Sequence, residues 1–488
     1  MKTRRIGLVC LSVACAVAAL ATFWVVRAQQ PAAGPRTTLF ENARLIVGDA
    51  SAPIERSAFV IVGQNITAIG KAGEIPLPAG GVRVDLTGKT VMPGFVDAHV
   101  HVGYATITTG EGTTDDWSME HMLDHLDRFA YSGTSMVLSL GSDRPDFIDA
   151  RYSDNPTTFK DLRNVSEEDS FTGARYNTVG RGLAWPGTGA NRSTTFYPVV
   201  SPWLATNAVR ELAAQKVPFV KIWQEDRKGF KDPDSEEPAV LTPASLRAAV
   251  SEAHRLGLRT IGHIKTLALW KDTLEAGGDA ATHQPMDLPV DAELLALAKA
   301  HPNFKMIPAI TPSFVGGSAP RRPGQRPEWM TDPLLNALVC PITVEKWGQT
   351  FEKNKTVPPP TGDLSVQNIA TLYKAGVPVI FGSHDAGANR PLGWGSQMEL
   401  EAFVNWLGMT PQQAIISATS ASADFLGVGD RLGRMAVGKG ADFIVLDANP
   451  FDDIRNTRKI SQVYLRGKKV DREGMKAKWA AQCKAAGL

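Results

Sequence analysis

Apolar and polar positions follow three different patterns along the chain. Residues 6–26 (IGLVCLSVACAVAALATFWVV) are almost continuously apolar behind the basic start Met1-Lys2-Thr3-Arg4-Arg5. From 37 to 92 the apolar residues come in short runs that read as strands: Thr38–Ile46, Ala58–Val62, Ile66–Ile69 and Val82–Leu86. Turn clusters such as Gly63-Gln64-Asn65 and Ala79-Gly80-Gly81 separate them. The same texture returns at Phe443–Leu446 and Gln462–Leu465, closed by Arg466-Gly467-Lys468. Neither stretch could cover its own core, so the pattern predicts one small β-sandwich domain built from both ends of the chain. Its parts are 37–92 and 428–471, with a tail over 472–488.

Between them the period changes. Eight apolar strands are predicted: Phe95–Val102, Met136–Leu140, Thr178–Leu183, Val217–Trp223, Arg259–Ile264, Ala280–His283, Lys305–Ile310 and Val377–Ser383. Helical stretches separate most of them, among them Pro243–Leu256, Leu267–Ala276, Ala292–Ala300 and Val366–Lys374. Thr242-Pro243 gives an N-cap followed by Pro at the first helical position, and Thr410-Pro411-Gln412-Gln413 has the capping-box spacing. Alternating β and α units across 93–427 predict an α/β fold, a distorted (β/α)8 TIM barrel. Two long Pro/Gly/Arg-rich stretches, 142–176 and 311–362, follow the second and seventh strands and are expected as lids or substrate loops over the C-terminal face.

Composition adds limits. Apolar residues make up 43% of the 488, enough for a real core. The first segment reads as an export signal over 1–28, with Val26 and Ala28 at the small-residue positions of a cleavage site. That predicts a periplasmic or secreted protein; left uncleaved, the same run is long enough to anchor it in a membrane. Without Lys2, Arg4, Arg5 and Arg27 the 52 basic residues fall to 48 against 50 acidic ones, so nothing favours a nucleic-acid partner. Cys340 and Cys483 would then be the only cysteines left, and the sequence leaves their pairing open, as it leaves open a homo-oligomer.

The candidate chemistry sits at predicted strand ends. His99 and His101 are two apart on one strand, so both imidazoles project to one side and can grip a divalent metal. Lys221, inside Val217–Trp223, is costly to bury as a cation. One solution is a carbamate formed with CO2, an anion able to bridge two metals. His263 and His283 end the next two strands, and Asp385 closes the last one, where a carboxylate can bind metal and take a proton from water. His384 either faces the substrate or packs behind the strand; with Tyr104 it is a candidate substrate-binding residue. Arg321, Arg322 and Arg326 could clamp a carboxylate but read more simply as solvated loop residues. There is no G-x-S-x-G elbow, Walker A loop or H-E-x-x-H, and Gly427–Gly433 reads as a turn between a helix and a strand.

This ordered set resembles the metal-dependent amidohydrolase superfamily, specifically its imidazolonepropionase-like and prolidase-like branch. The resemblance opens at Met92-Pro93-Gly94-Phe95-Val96-Asp97-Ala98-His99-Val100-His101 and closes at Gly433-Arg434-Met435-Ala436-Val437-Gly438-Lys439-Gly440-Ala441-Asp442-Phe443-Ile444-Val445-Leu446-Asp447. It implies His99 and His101 on one metal, Lys221 as a carboxylated bridge, His263 and His283 on the second metal, and Asp385 as ligand and proton shuttle. Three positions depart from the family pattern: His384 replaces the usual Thr, Thr282 the common Glu, and Lys265 follows His263 in place of small residues. The implied enzyme is a metal-dependent hydrolase of a small amide or peptide-like substrate, using two Zn per chain. Bound metal would lower the pKa of water from ~15.7 toward ~7, giving hydroxide for attack on the carbonyl. A mononuclear cyclic amide or amidine hydrolase, a lactonase and a silent binding scaffold are the rival readings.

Overall fold

The computed structural model describes residues 36–103, 105–106, 117–141, 143, 159–186, 195–224, 240–310, 328–353, 363–386 and 391–488. The segment 1–28, Tyr104, Arg321, Arg322 and Arg326 lie outside the described residues.

An eight-stranded mixed sheet draws on both ends of the chain. Its order is β17 (Lys468–Lys469), β16 (Ile460–Leu465), β15 (Phe443–Leu446), β5 (Thr90–Pro93), β1 (Thr37–Leu45), β2 (Ile54–Val62), β3 (Asn65–Lys71), with β4 (Val82–Asp85) also on β1. β1 carries two parallel partners in succession: Thr38–Glu41 pairs with β4, and Arg44–Leu45 with β5. Between them the register shifts at Asn42, whose φ of 72° is one that Asn tolerates. Phe40 stacks on Phe59 at 4.9 Å, Phe443 stacks on Tyr464 at 4.6 Å, and the two pairs meet edge to face. These rings come from both ends of the chain, so neither end has a complete core alone.

A parallel set of strands occupies the middle of the chain. β6 (Phe95–Val100), β7 (Thr134–Ser139) and β8 (Arg175–Thr178) form one sheet. β10 (Phe196–Pro198), β9 (Gly182–Ala184), β11 (Phe219–Gln224), β12 (Arg259–Ile264), β13 (Ala280–Thr282) and β14 (Lys305–Ile307) form the other. The segment 377–385 joins them: Val379 bridges to Met306 and Asp385 to Val100, both in parallel. Ala98 N–H donates to Phe381 O at 3.1 Å and Ile380 N–H to Met306 O at 2.8 Å. Among the described residues no pairing joins β8 to β10.

Of the eight strands predicted over 95–383, seven are present in whole or in part, and the eighth, Val377–Ser383, is not a strand. Thr178–Leu183 is two strands broken at Gly180, where φ is 66°. Lys305–Ile310 stops at Ile307, and Val377–Ser383 is held by isolated bridges instead of a continuous ladder. The four predicted helices appear as Pro243–Arg255, Leu267–Glu275, Ala292–Ala300 and Leu364–Lys374. At Thr410 the capping box is made in both directions, Gln413 N–H to Thr410 Oγ1 at 3.2 Å and Thr410 N–H to Gln413 Oε1 at 2.8 Å. The stretch 311–362 is not irregular throughout, since Pro333–Leu338 and Pro341–Lys353 are helices with Pro at or near the first turn.

The last residues form a helix, Arg472–Ala485, docked on the helix Met119–Tyr131. Trp479 Nε1 donates to Asp124 Oδ1 at 2.8 Å, and Arg128 beside it bonds both Asp124 and Leu338 O. Cys483 of this helix forms a disulfide with Cys340. Among the described residues no helix is long and apolar enough to cross a membrane.

Candidate metal centre

The C-terminal ends of the parallel strands carry the buried histidines. β6 presents His99, with no exposure, and just beyond it His101; their rings are 5.3 Å apart. Asp97, two residues earlier, stitches this strand to its neighbour: its Oδ1 accepts from His99 N at 3.0 Å and Ser383 N at 3.1 Å. Its Oδ2 accepts from Ser396 Oγ at 3.2 Å. Burial pushes the Asp97 carboxyl up to about 6, against the pull of these donors.

Lys221 lies in β11, fully buried, with Nζ donating to Thr282 Oγ1 at 2.9 Å. Gly141 is what lets it fit, because a Cβ there would come 2.8 Å from Lys221 Cγ. Two residues on, Trp223 pairs in register with His263 of β12 and stacks on its ring at 4.0 Å. His283 follows β13 directly, donating its N–H to Ile307 O at 3.0 Å. Its φ is 68°, a strained value for a side chain without local compensation. Its ring stands 4.5 Å from His263 and 5.4 Å from His99. These contacts close a chain of imidazoles from β12 round to β6.

His384 completes that chain. It too has a positive φ, 58°, and its ring stands 4.3 Å from His99 and 4.9 Å from both His101 and His283. Asp385, next in sequence, accepts His101 N–H on its backbone oxygen at 2.9 Å. Its carboxylate meets the N-terminus of the helix Trp394–Asn405: Oδ2 accepts from Gly393 N at 2.7 Å and Ser396 Oγ at 3.4 Å. Helix N-termini favour an anion there. Burial, with Asp97 close by, still pushes the Asp385 carboxyl well above its usual range.

Several buried polar atoms have no hydrogen-bond partner among the described residues: both ring nitrogens of His99, and Oδ1 of Asp385. Buried polar atoms of native proteins are seldom left so. Burial and the positive charge of Lys221, with the other histidines, hold His99 well below its usual range, so it stays neutral with a lone pair to offer. Ring nitrogens of His99, His283 and His384 lie within 4.8 Å of one another, close enough to hold a metal ion. Nitrogen and carboxylate donors in this number suit a divalent transition ion.

Sequence spacing thus led to side chains that do gather. His99, His101, His283 and His384 form one cluster, His263 extends it, and Lys221 reaches it through Thr282 beside His283. It missed Asp97, Trp223 and the helix start Gly393–Ser396. Asp97 had a readable signal, since it alternates onto the same strand face as His99 and His101. Gly393 and Ser396 are far from Asp385's strand pattern and gave none.

The amidohydrolase family pattern matches residues 90–470, most of the chain, and the protein belongs to that family. It is a metal-dependent hydrolase acting on carbon–nitrogen bonds. No curated protein matches it in sequence. Among solved structures it is similar to a Xaa-Pro dipeptidase with methionine bound in its active site, at 22% identity and TM-score 0.65, over 89% of this chain and 99% of that one. It is similar to molinate hydrolase at 19% identity and TM-score 0.67, over 91% and 96% of the two chains. It is also similar to an A. niger ochratoxinase at 19% identity and TM-score 0.61, over 90% and 96%. These likenesses imply a (β/α)8-like fold.

Proposed function

We propose that this protein is an exported hydrolase that cleaves a small amide or peptide-like substrate at a two-metal centre. The observation that carries the reading is the convergence of buried, neutral His99 with His101, His263 and His283 at one end of the parallel strands, with Asp385 beside them. His99 and His101 would hold one ion, and His263 and His283 the other. Lys221, as its carbamate, would bridge them; the ammonium first gives up one proton, and the neutral amine then adds CO2 and releases a second, replacing a buried cation with an anion that two ions can share. When bound, the ions supply Lewis acidity, polarising the scissile carbonyl and acidifying water. Asp385 takes the proton of the attacking water and returns it to the leaving nitrogen. The raised proton affinity of this buried carboxyl suits a group that must do both. Gly393 and Ser396 keep the carboxylate oriented while it does so. The stacked Trp223 fixes the plane of His263.

The closed eight-unit barrel over 93–427, and the β-sandwich of 37–92 with 428–471, belong to the same proposal. Export is supported by the basic and apolar residues 1–28 and by the Cys340–Cys483 disulfide, a bond that persists in oxidising compartments. A Xaa-Pro dipeptidase among the structural neighbours favours peptide-like substrates. The test is a hydrolysis screen of metal-loaded protein across dipeptides, N-acyl amino acids, lactams and lactones, alongside metal analysis. About two ions per chain and amide turnover support the reading. One ion per chain, or turnover of lactones alone, would replace it with a mononuclear or lactone-opening enzyme.

A further inference from the structure

The geometry points to His384 as an additional ligand of the metal centre, its ring close enough to His99 and His283 to join, as a third imidazole, the ion that either of them holds. The inference rests on the metal-centre reading above but assigns a residue that the family pattern fills with Thr. Three observations carry it. First, ring nitrogens of these three side chains, all buried, come within 4.8 Å of one another. Second, the His384 ring touches the cluster on three sides, 4.3 Å from His99 and 4.9 Å from His101 and from His283. A residue packed behind the strand would meet helix side chains instead. Third, the backbone is bent to put it there. His384 holds φ at 58° while its N–H bonds His99 O at 2.6 Å, so it is tied directly to the strand of another proposed ligand. Backbone strain of this kind persists where the surroundings over-determine it.

The rings of His99 and His384 lie only 19° from parallel, so a shared ion requires His384 to turn about its terminal torsion. That torsion is soft in His. The partner nitrogens on His99 have no other hydrogen bond to give up among the described residues. Chemically, a third imidazole shifts the preference of the site. Imidazole-rich sites favour later first-row ions such as Co, Ni and Zn over Mn and Mg, which prefer oxygen. This chain would therefore discriminate between Co(II) and Mn(II) more strongly than a relative with Thr at this position.

The test uses Co(II) and Mn(II) as probes on the full-length protein, with His384→Asn and His384→Gly. Both replacements are at ease at positive φ, so the fold is expected to hold. Affinity is measured by chelator competition, and the Co(II) visible spectrum reports the ligand set. Expected is a loss of about tenfold or more in Co(II) affinity and a changed Co(II) band in both variants, with Mn(II) affected less. Unchanged Co(II) affinity and spectrum would overturn the assignment, and a raised KM alongside them would make His384 a substrate contact. Wild-type protein that takes up neither ion would instead sink the metal-centre reading on which this one rests.

Discussion

His125 Nδ1 accepts the backbone N–H of Gly103 at 3.0 Å, two residues past His101. The same buried ring meets Ala105 O through Nε2 at 2.9 Å, so it must be the neutral Nε2–H tautomer. One imidazole on the helix Met119–Tyr131 thus fixes the chain just after the strand that carries His99. Gly103 is required there as well, with φ at 101° and Trp117 filling the space a Cβ would need. Burial pushes His125 down to about 4, with Arg128 and His121 acting the same way and Asp124 opposing them. A base with a lowered folded value stabilises the fold above its unfolded pKa of about 6.5 and loses that contribution as pH falls through 4. Protonation would put a second N–H against that of Gly103. The expected size is up to roughly 3 kcal/mol. Denaturation midpoints measured from pH 7 to 4 should fall more steeply for wild type than for His125→Asn, whose amide oxygen keeps the acceptor without titrating. Parallel curves would refute the role.

Gly395 is the second position where a glycine decides the site. A Cβ on Gly395 would collide with Asp385 Oδ1. Gly395→Ala should therefore displace the carboxylate without disturbing the core, since the atom that must move ends a side chain. Activity is expected to fall by about 10²-fold or more, with the thermal midpoint nearly unchanged. Asp385→Asn removes the proposed proton acceptor itself and should cost about 10²–10⁴ in kcat. Full activity in either variant would remove Asp385 from the mechanism.

Strand alternation makes His99 and His101 readable from the amino-acid order alone, because a two-residue period fixes the face regardless of what surrounds it. The same period locates Lys221 and Trp223 on one side of β11. What it could not reach is anything set by contacts between distant segments. The strand Thr90–Pro93 is four residues long and gains its place by pairing with β1 on one side and with β15, from the far end of the chain, on the other. The helix Trp394–Asn405 starts on Gly393 without a capping side chain, so its start signal is absent from the sequence. Asp385, which its N-terminus holds, was visible as a candidate, but the reason for its orientation was not. His384 was legible as an oddity, and its strained backbone and ring contacts needed three dimensions.

The pairing of Cys340 with Cys483 was open in the sequence because 143 residues separate the two. In the fold the bond ties the C-terminal helix to the segment between the helices Pro333–Leu338 and Pro341–Lys353. A cross-link closing so long a loop restricts the unfolded chain strongly, typically by about 2–4 kcal/mol. Cys483→Ser should lower the denaturation midpoint by a corresponding amount while leaving kcat within about twofold, because the helix docks on the helices Met119–Tyr131 and Pro333–Leu338. Trp479 and Asp124 would keep the helix docked. An unchanged midpoint under oxidising conditions would mean that the bond does not form in the purified protein.

Lys221 permits the sharpest test of the proposed bridging anion. Its Nζ is buried beside Thr282, whose hydroxyl already donates to Gly262 O at 3.2 Å and so offers the amine only an acceptor. A carbamate at the same place would find that hydroxyl and the two ions in reach, which is why carboxylation and metal loading should depend on each other. Protein refolded or metal-loaded under CO2-free conditions is expected to bind about one ion per chain, and bicarbonate should restore the second. Lys221→Ala should behave like the CO2-free protein yet fail to respond to bicarbonate, while short carboxylic acids, able to enter the vacated space, should recover part of the activity. Metal analysis and kcat measured in parallel would decide it. Two ions and full turnover in CO2-free wild type, or in Lys221→Ala, would leave Lys221 as a packed lysine and the centre without its bridge.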